Sequence, residues 1–383
     1  MNVAILGMGN MGFNYARLIS QGNVPGMTLA AVTRIKESIL EKVRAFLPSA
    51  VRVYPSADEL FADYDAGSLA IDAVLVVTPH YSHEKLAVAA FSRGISVLCD
   101  KPAGVYSRQG RQMLDAFHKN RARWPDLQFG MIFQQRTNPA FLRIKQITES
   151  GRYGSLKRVN WTVTDWFRPV AYYKSGSWKA KWKTDGGGVI LNQCPHNLDL
   201  LTWLCGMPSA VQAFCHEGKY HPIEVEDEAT VFLEWKNGAT GVFTTSTGEA
   251  AGFNRLEMIF EDARLSFENG ELRVFELTQP ESVLLKKTTD FFSHPEGCWK
   301  TLEVPETPGQ PDEYTALLSA FASGTPVADG EDGRLNLLLC NAIYASSWKQ
   351  QKIHLPEPNT KAEHTFETEF ESLLTKKNGS LSY

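Results

Sequence analysis

Three short runs of this chain are built from residue types that do chemistry. Gly7-Met8-Gly9-Asn10-Met11-Gly12 is a G-x-G-x-x-G placed directly behind an apolar run, Val3-Ala4-Ile5-Leu6. In such a run Gly7 allows a tight turn, Gly9 lets backbone approach a pyrophosphate, and Gly12 lets helix and strand pack closely. Asn10 and Met11 open the helix, where unpaired N–H groups and the positive dipole end favour phosphate. A plain glycine-rich turn is the alternative, and the position between a strand and an amphipathic helix favours the phosphate cradle. The second run, Thr78-Pro79-His80-Tyr81-Ser82-His83, and the third, Cys99-Asp100-Lys101-Pro102, each follow a strand-like stretch. Thr78 and Lys101 therefore stand past the carboxyl ends of strands, where open α/β sheets bind ligands. Lys101 precedes a proline, which biases its backbone towards an extended form.

A histidine lies further on, in Gly186-Gly187-Gly188-Val189-Ile190-Leu191-Asn192-Gln193-Cys194-Pro195-His196. Asn192 and His196 are four apart, so on one helix they share a face. An imidazole near its ordinary pKa of ~6.5 can take or give a proton in either direction; a hydrogen-bonded core histidine is the other reading. Gly186 to Gly188 are either a flexible loop or backbone that lets a ligand come close. Nearby stand Trp161, Trp166, Phe167, Arg168, Tyr172, Tyr173, Trp178 and Trp182. Flat aromatic faces suit the C–H surfaces of sugar rings, and about half of them are expected in the core or at subunit contacts. Arg168, Tyr173 and Trp178 are assigned to the substrate.

About 20 residues past the glycines, an NAD-selective site places an acid on the ribose 2′-hydroxyl. Thr33 and Arg34 stand there, with Lys36 beyond. A hydroxyl and a guanidinium would bind a 2′-phosphate, so NADP is expected ahead of NAD, with Arg34 as a solvated surface charge the alternative.

Taken in order, Thr78 to His83, Asp100-Lys101-Pro102 and the segment from Gly186 to Leu201 resemble the Gfo/Idh/MocA family of sugar and inositol dehydrogenases. The resemblance runs from Met1 to about Trp348 and includes Tyr344-Ala345-Ser346 in a last helix. It implies that Lys101 sits beside the nicotinamide and the substrate oxygen, where a cation lowers the hydroxyl's pKa or stabilises an alkoxide. It casts His196 as the acid/base and adds Thr78, His80, His83, Asp100 and Lys101 to Gly7, Gly9, Asn10, Met11, Gly12, Thr33 and Arg34 as cofactor contacts. Asn192 stands where many relatives carry Asp; an amide can bond substrate hydroxyls or fix the imidazole tautomer but cannot offset an imidazolium by charge. Asp100 for Glu and His80 for Asn are milder departures. Asp199 either orients the His196 ring or makes an internal hydrogen bond. The resemblance also implies a homodimer or homotetramer. A non-catalytic nucleotide sensor of the same fold, or an aldose-aldose oxidoreductase that never releases its nucleotide, are the competing functions; a sensor has no need of a proton donor.

These residues require a scaffold. With 383 residues, two domains are expected. Strand-like runs at 3–6, 29–32, 73–77, 96–99 and 128–133 alternate with helical patterns at 10–20, 82–92 and 108–119, which predicts an N-terminal Rossmann domain over 1–130. From 131 to 383 an α+β domain with a large, mainly antiparallel open sheet is expected. Its strands are at 156–165, 211–216, 229–235, 240–246, 256–260 and 264–267, with helices at 188–204, 312–321 and 333–348. Residues 280–311 read as irregular loops, and 375–383 as a fraying end.

The charge of −4 offers no basic surface for nucleic acid or acidic membranes, and 43% hydrophobic with 21% charged residues is an ordinary globular mixture. No apolar run reaches the ~18–20 residues that cross a bilayer, and the start lacks signal-peptide features, so a cytoplasmic protein is expected. Six scattered cysteines read as reduced structural thiols. No H-E-x-x-H-like spacing points to a metal.

Overall fold

The computed structural model describes residues 1–35, 43–176, 179–304 and 311–380. Lys36 and Trp178 lie outside the described residues, and the Arg34 side chain is likewise not described. The chain forms two compact units. One gathers Met1–Thr137, Thr184–Gly186 and a segment ending at Leu338; the other takes Asn138–Lys183, the stretch from Gly187, and the chain from Leu339 onward. This interleaving differs from the contiguous division at residue 130.

In the first unit, β1 (Asn2–Met8), β2 (Thr28–Ile35), β3 (Arg52–Tyr54), β4 (Ala73–Val76), β5 (Ser96–Cys99) and β6 (Phe129–Met131) form one sheet in the order β3-β2-β1-β4-β5-β6. All its pairings are parallel. This is the doubly wound order, with the strand sequence reversing beside β1. β4 and β5 are buried along their whole length, as strands covered on both faces must be. Helix α1 (Asn10–Ser20) lays Tyr15, Ala16, Leu18 and Ile19 on the sheet. The cluster beneath it holds Ile5, Val32, Leu75 and Leu98 together with Leu317, Leu318 and Phe321 from the far end of the chain.

The second unit is built on a nine-stranded sheet. Its strands are β7 (Leu156–Val163), β8 (Ala210–Glu217), β9 (Glu226–Glu234), β10 (Thr240–Ser246), β11 (Asn254–Phe260), β12 (Ala263–Glu268), β13 (Glu271–Leu277), β14 (Gly297–Thr301) and β15 (Ile353–His354). They are ordered β14-β13-β12-β11-β7-β10-β9-β8-β15. β7 and β10 pair in parallel and the remaining neighbours are antiparallel. Inward residues alternate with outward ones, so Trp161, Val231, Leu233 and Phe243 are buried while Phe232 and Val242 face out. Asn269 and Gly270 both take positive φ in the two-residue turn joining β12 to β13, the conformation that an Asn-Gly hairpin requires.

Beyond elements the sequence reading did not mark, such as β3, β13 and the helices Ala57–Asp65 and Pro139–Ser150, three stretches contradict it. Residues expected as loops contain a helix, Glu281–Lys287, and β14; the latter is a sheet-edge strand, largely exposed, and carries no apolar alternation to reveal it. The C-terminal end is not frayed at 375, because a helix runs from Lys361 to Ser380 and buries Phe370 and Leu374, with Phe370 stacked 5.7 Å from Trp348. The single helix expected over 188–204 is broken: Val189–Gln193 is a wide π-type turn, and the α-helix begins at Pro195 and runs to Cys205. Pro195 lacks the N–H that would continue a helix from before it.

Among the described residues no helix is long and apolar enough to cross a membrane, and no group of three or more His, Cys, Asp or Glu side chains could hold a metal ion.

Candidate active site

The glycine run behind β1 folds as its spacing predicts. Gly7 has φ +105°, and a Cβ there would stand 2.5 Å from the Val77 carbonyl oxygen. A Cβ on Gly12 would stand 2.1 Å from the Gly7 carbonyl oxygen. Gly9, which caps α1, differs: nothing lies within 4 Å of where its Cβ would be. The first turn of α1 carries no acid, and no side chain caps it. An open backbone at a helix N-terminus, with Asn10 exposed and Met11 half-buried beside it, fits a dinucleotide's phosphates.

Thr33 is corrected by the structure. Its side chain is fully buried, and its hydroxyl accepts the Gly7 N–H at 3.3 Å, so it braces the glycine turn from below instead of facing a ribose phosphate. Sequence offered only its place at the end of β2.

β1, β4 and β5 are adjacent and parallel, so the residues past their carboxyl ends stand in a row. Thr78 follows β4 and is half-buried; its hydroxyl accepts from Ser82 Oγ at 2.7 Å. Asp100 and Lys101 follow β5, with an Asp100 carboxylate oxygen accepting the Lys101 N–H at 2.9 Å. Burial raises the Asp100 pKa, and the neighbouring Lys101 ammonium pulls it back. The Lys101–Pro102 peptide is cis.

The two histidines of this row are held by protein. His83 Nδ1 lies 2.8 Å from the Pro102 carbonyl oxygen and Nε2 lies 2.7 Å from that of Thr78. With both ring nitrogens on backbone and its surface 1% exposed, His83 ties the loop after β4 to the loop after β5; it is a brace and not the cofactor ligand expected. His80 Nδ1 lies 2.7 Å from the Asp185 carbonyl oxygen and is likewise buried. Burial, with His83 and Lys101 nearby, pushes the His80 pKa down to about 3, so the ring is neutral at physiological pH. Burial lowers His83 as well, against the pull of the two carbonyls.

In the second unit His196 is the second residue of its helix and is 8% exposed. Asn192 sits in the wide turn before it, its N–H donating to the Gly188 carbonyl at 2.8 Å. The two residues are therefore on different elements, and the shared α-helical face expected from four-residue spacing does not exist. The glycines ahead of them are not open to a ligand either. A Cβ on Gly186 would meet Val105, one on Gly187 would stand 2.2 Å from Tyr344 Oη, and one on Gly188 would stand 1.9 Å from the Glu226 carbonyl oxygen.

Glu226 organises this turn and gave no signal in the sequence. It is fully buried at the start of β9; its carboxylate accepts the Gly188 N–H at 3.0 Å, the Ile190 N–H at 2.9 Å and the Tyr344 hydroxyl at 2.8 Å. Burial pushes its pKa up to about 8 in spite of those donors.

The aromatic residues divide. Trp161 and Trp182 are core, each 1% exposed, with indole N–H groups donating to Asn254 and to the Glu224 carbonyl. Arg168 donates twice to Gln193 Oε1, at 2.8 and 3.1 Å, and its guanidinium lies over the rings of Trp166 and Tyr172. Gln193 Nε2 in turn donates to Tyr172 Oη at 2.8 Å, while Tyr173 Oη pairs with Thr247 Oγ1 at 2.8 Å. Arg168 and the turn carrying Asn192 are thus one polar network, with Gln193 as the link that sequence reasoning missed.

Residues 1–124 match the family described as "Oxidoreductase family, NAD-binding Rossmann fold", and residues 141–266 match "GFO/IDH/MocA C-terminal domain". The chain is 23% identical to the myo-inositol 2-dehydrogenase of Thermotoga maritima over 93% of its own length and 99% of that protein. It is 24% identical to the levoglucosan dehydrogenase of Pseudarthrobacter phenanthrenivorans, over 75% of this chain and 80% of that one. The fold is shared with the WlbA dehydrogenase of Bordetella pertussis, solved with NADH and UDP-GlcNAcA, at TM-score 0.73 and 24% identity, covering 93% of this chain and 99% of that one. An oxidoreductase family is the finding, and the non-catalytic sensor is set aside. Both halves being matched in chain order, this chain belongs to the Gfo/Idh/MocA family of NAD-binding oxidoreductases.

Proposed function

We propose that the protein transfers hydride between a nicotinamide dinucleotide and a secondary alcohol or ketone of a sugar, glycoside, anhydrosugar or cyclitol. The observation that carries this reading is the strand order, which puts the open glycine turn, Thr78 and Lys101 past the ends of three adjacent parallel strands. Gly9, Asn10 and Met11 would hold the pyrophosphate, and a bound nicotinamide would supply the hydride acceptor or donor. Lys101 stabilises negative charge on the substrate oxygen, lowering the hydroxyl's pKa during oxidation. His196 removes that hydroxyl proton as the carbinol C–H bond gives up its electron pair, and returns the proton in reduction. Asn192 bonds a neighbouring substrate hydroxyl, with Arg168 and Tyr173 further along the substrate. Support for the substrate class comes from the inositol and levoglucosan dehydrogenases to which the chain is similar.

Lys101→Ala and His196→Ala should each lower kcat about 10³-fold while coenzyme still binds, measured by stopped-time product formation and by coenzyme fluorescence. Full activity in both variants would end this mechanism.

NADP preference is proposed on Arg34 alone, since Thr33 is spent inside the fold; the guanidinium would pair a 2′-phosphate bidentately. A ratio of kcat/KM favouring NAD and unaltered by Arg34→Ala would refute it. The proposed oligomer uses the outward face of the nine-stranded sheet, where Phe214, Phe232 and Val242 are exposed, and light scattering gives its size. The proposed compartment is the cytoplasm.

A further inference from the structure

The segment that carries Arg168 and Tyr173 is held by a buried pair to which neither the family match nor the proposed mechanism gives a role. Asp227 is fully buried beside Glu226 at the start of β9. One of its carboxylate oxygens accepts the Lys219 N–H at 2.9 Å. The other accepts the Tyr220 N–H at 2.8 Å, the His221 N–H at 2.9 Å and His221 Nδ1 at 2.9 Å. His221, 6% exposed, spans from this carboxylate to the Arg168 carbonyl oxygen, 2.7 Å from Nε2. Each ring nitrogen thus lies within hydrogen-bonding distance of an oxygen, and the imidazole bridges the Asp227 carboxylate to the Arg168 carbonyl.

The other side of Arg168 is fixed to the same strand pair. Its N–H donates to the Thr247 carbonyl at 2.9 Å, and the Thr247 N–H donates to the Asp227 carbonyl at 2.9 Å. Tyr173 closes the arrangement, its ring 4.8 Å from the imidazole and its hydroxyl on Thr247 Oγ1. Arg168 backbone is therefore gripped at its N–H by β10's end and at its C=O by His221, and its guanidinium then reaches Gln193, next to Asn192. A side chain with so many rotamers delivers a fixed charge only if its backbone is fixed, and a misplacement of about 1 Å near reacting groups can cost on the order of 100-fold.

We infer that His221 and Asp227 are positioning residues: the pair clamps the Arg168 carbonyl and so sets the Arg168–Gln193 contact that shapes the substrate end of the site. The inference rests on the oxidoreductase reading for its kinetic arm, and on geometry alone for its proteolytic arm.

The test combines His221→Leu, Asp227→Asn and Arg168→Ala. His221→Leu should raise KM for the sugar or cyclitol about 10-fold or more and leave KM for the coenzyme within about 2-fold. Asp227→Asn should do less, because its amide oxygen can keep the place that faces Nδ1 and the Tyr220 and His221 N–H groups, with only the Lys219 N–H losing its acceptor. In an Arg168→Ala background His221→Leu should add less than about 2-fold, since the clamp has lost the side chain through which it acts. Independent multiplication of the two effects, or an equal rise in both KM values, would overturn the clamp. Trypsin supplies the second arm: cleavage after the exposed Lys174 should accelerate at least about 5-fold in His221→Leu when the segment is released. An unchanged cleavage rate in a folded variant refutes the inference whatever the substrate proves to be. If His221→Leu does not fold, Asp227→Asn carries both arms. Wild-type protein that oxidises no sugar or cyclitol defeats the proposed function, while the cleavage result still judges the clamp.

Discussion

The chain has two glycine-rich turns, one behind β1 and one before the helix of His196, and they use the same residue for opposite ends. In the first, Gly7 and Gly12 are forced by backbone contacts while Gly9 between them faces open space. In the second, Gly186, Gly187 and Gly188 each press against protein: Val105, the Tyr344 hydroxyl and the Glu226 carbonyl respectively. The first is shaped to admit something from outside. The second is shaped to let the chain pack against itself, so that Asn192 and His196 are held by a filled interior. The spaced glycines, read from sequence as a phosphate cradle, leave the opening, and the run of three, read as either a loop or a ligand approach, is filled by protein.

That contrast can be broken most severely at Gly188 and Gly12. Gly188→Ala would set a methyl 1.9 Å from a backbone oxygen; a stability loss of about 3 kcal/mol in urea unfolding is expected. Gly12→Ala makes a similar clash with Gly7 and should weaken coenzyme binding on the order of 100-fold by titration, because the turn itself must move. If either alanine is silent, the packing account of that glycine is wrong.

Glu226 sharpens the comparison through pH. Its folded pKa is raised from 4.5 to about 8, so the folded state binds the proton more tightly than the unfolded chain. Its contribution to stability is therefore complete below about pH 4.5 and is lost as pH rises through about 8. Glu226→Gln should flatten the decline of Tm across that window; an identical decline in both proteins would show that the group titrates normally.

Gly9→Ala is the selective counterpart. Its φ of −80° suits alanine and nothing crowds the Cβ, so stability should hold within about 1 kcal/mol while KM for the coenzyme rises about 10-fold. Unaltered KM would mean that no ligand comes close there. Smallest of all, Thr33→Val removes the acceptor for Gly7 N–H and should cost about 1 kcal/mol, read from the same unfolding curves.

How much of this was legible in the sequence follows from the range of the interactions. β10 falls where its pattern places it, at Thr240–Ser246, and the parallel pairing of the first sheet follows from alternating strands and helices, while the short β3 carried no pattern that marked it. The roles of Thr33 and His83 were not legible, because a buried side chain bonded to backbone 26 or 19 residues away has the same letter as one that meets a ligand. The break at Pro195 was visible as a proline inside an apolar helical pattern, but the periodicity of the flanking residues concealed it. Glu226 and Asp227 gave no signal: strand alternation turns only one of two successive residues inward, and here both are buried. Gln193 would be found only by knowing where Arg168 lies.

Leu317, Leu318 and Phe321 share one apolar cluster with Ile5, Val32 and Leu75. A ribosome making this protein emits the whole parallel sheet long before it reaches the helix that covers part of it. The nucleotide-binding half thus waits, partly uncovered, for most of the message to be read, and a fragment cut after residue 137 would carry that bare patch for good.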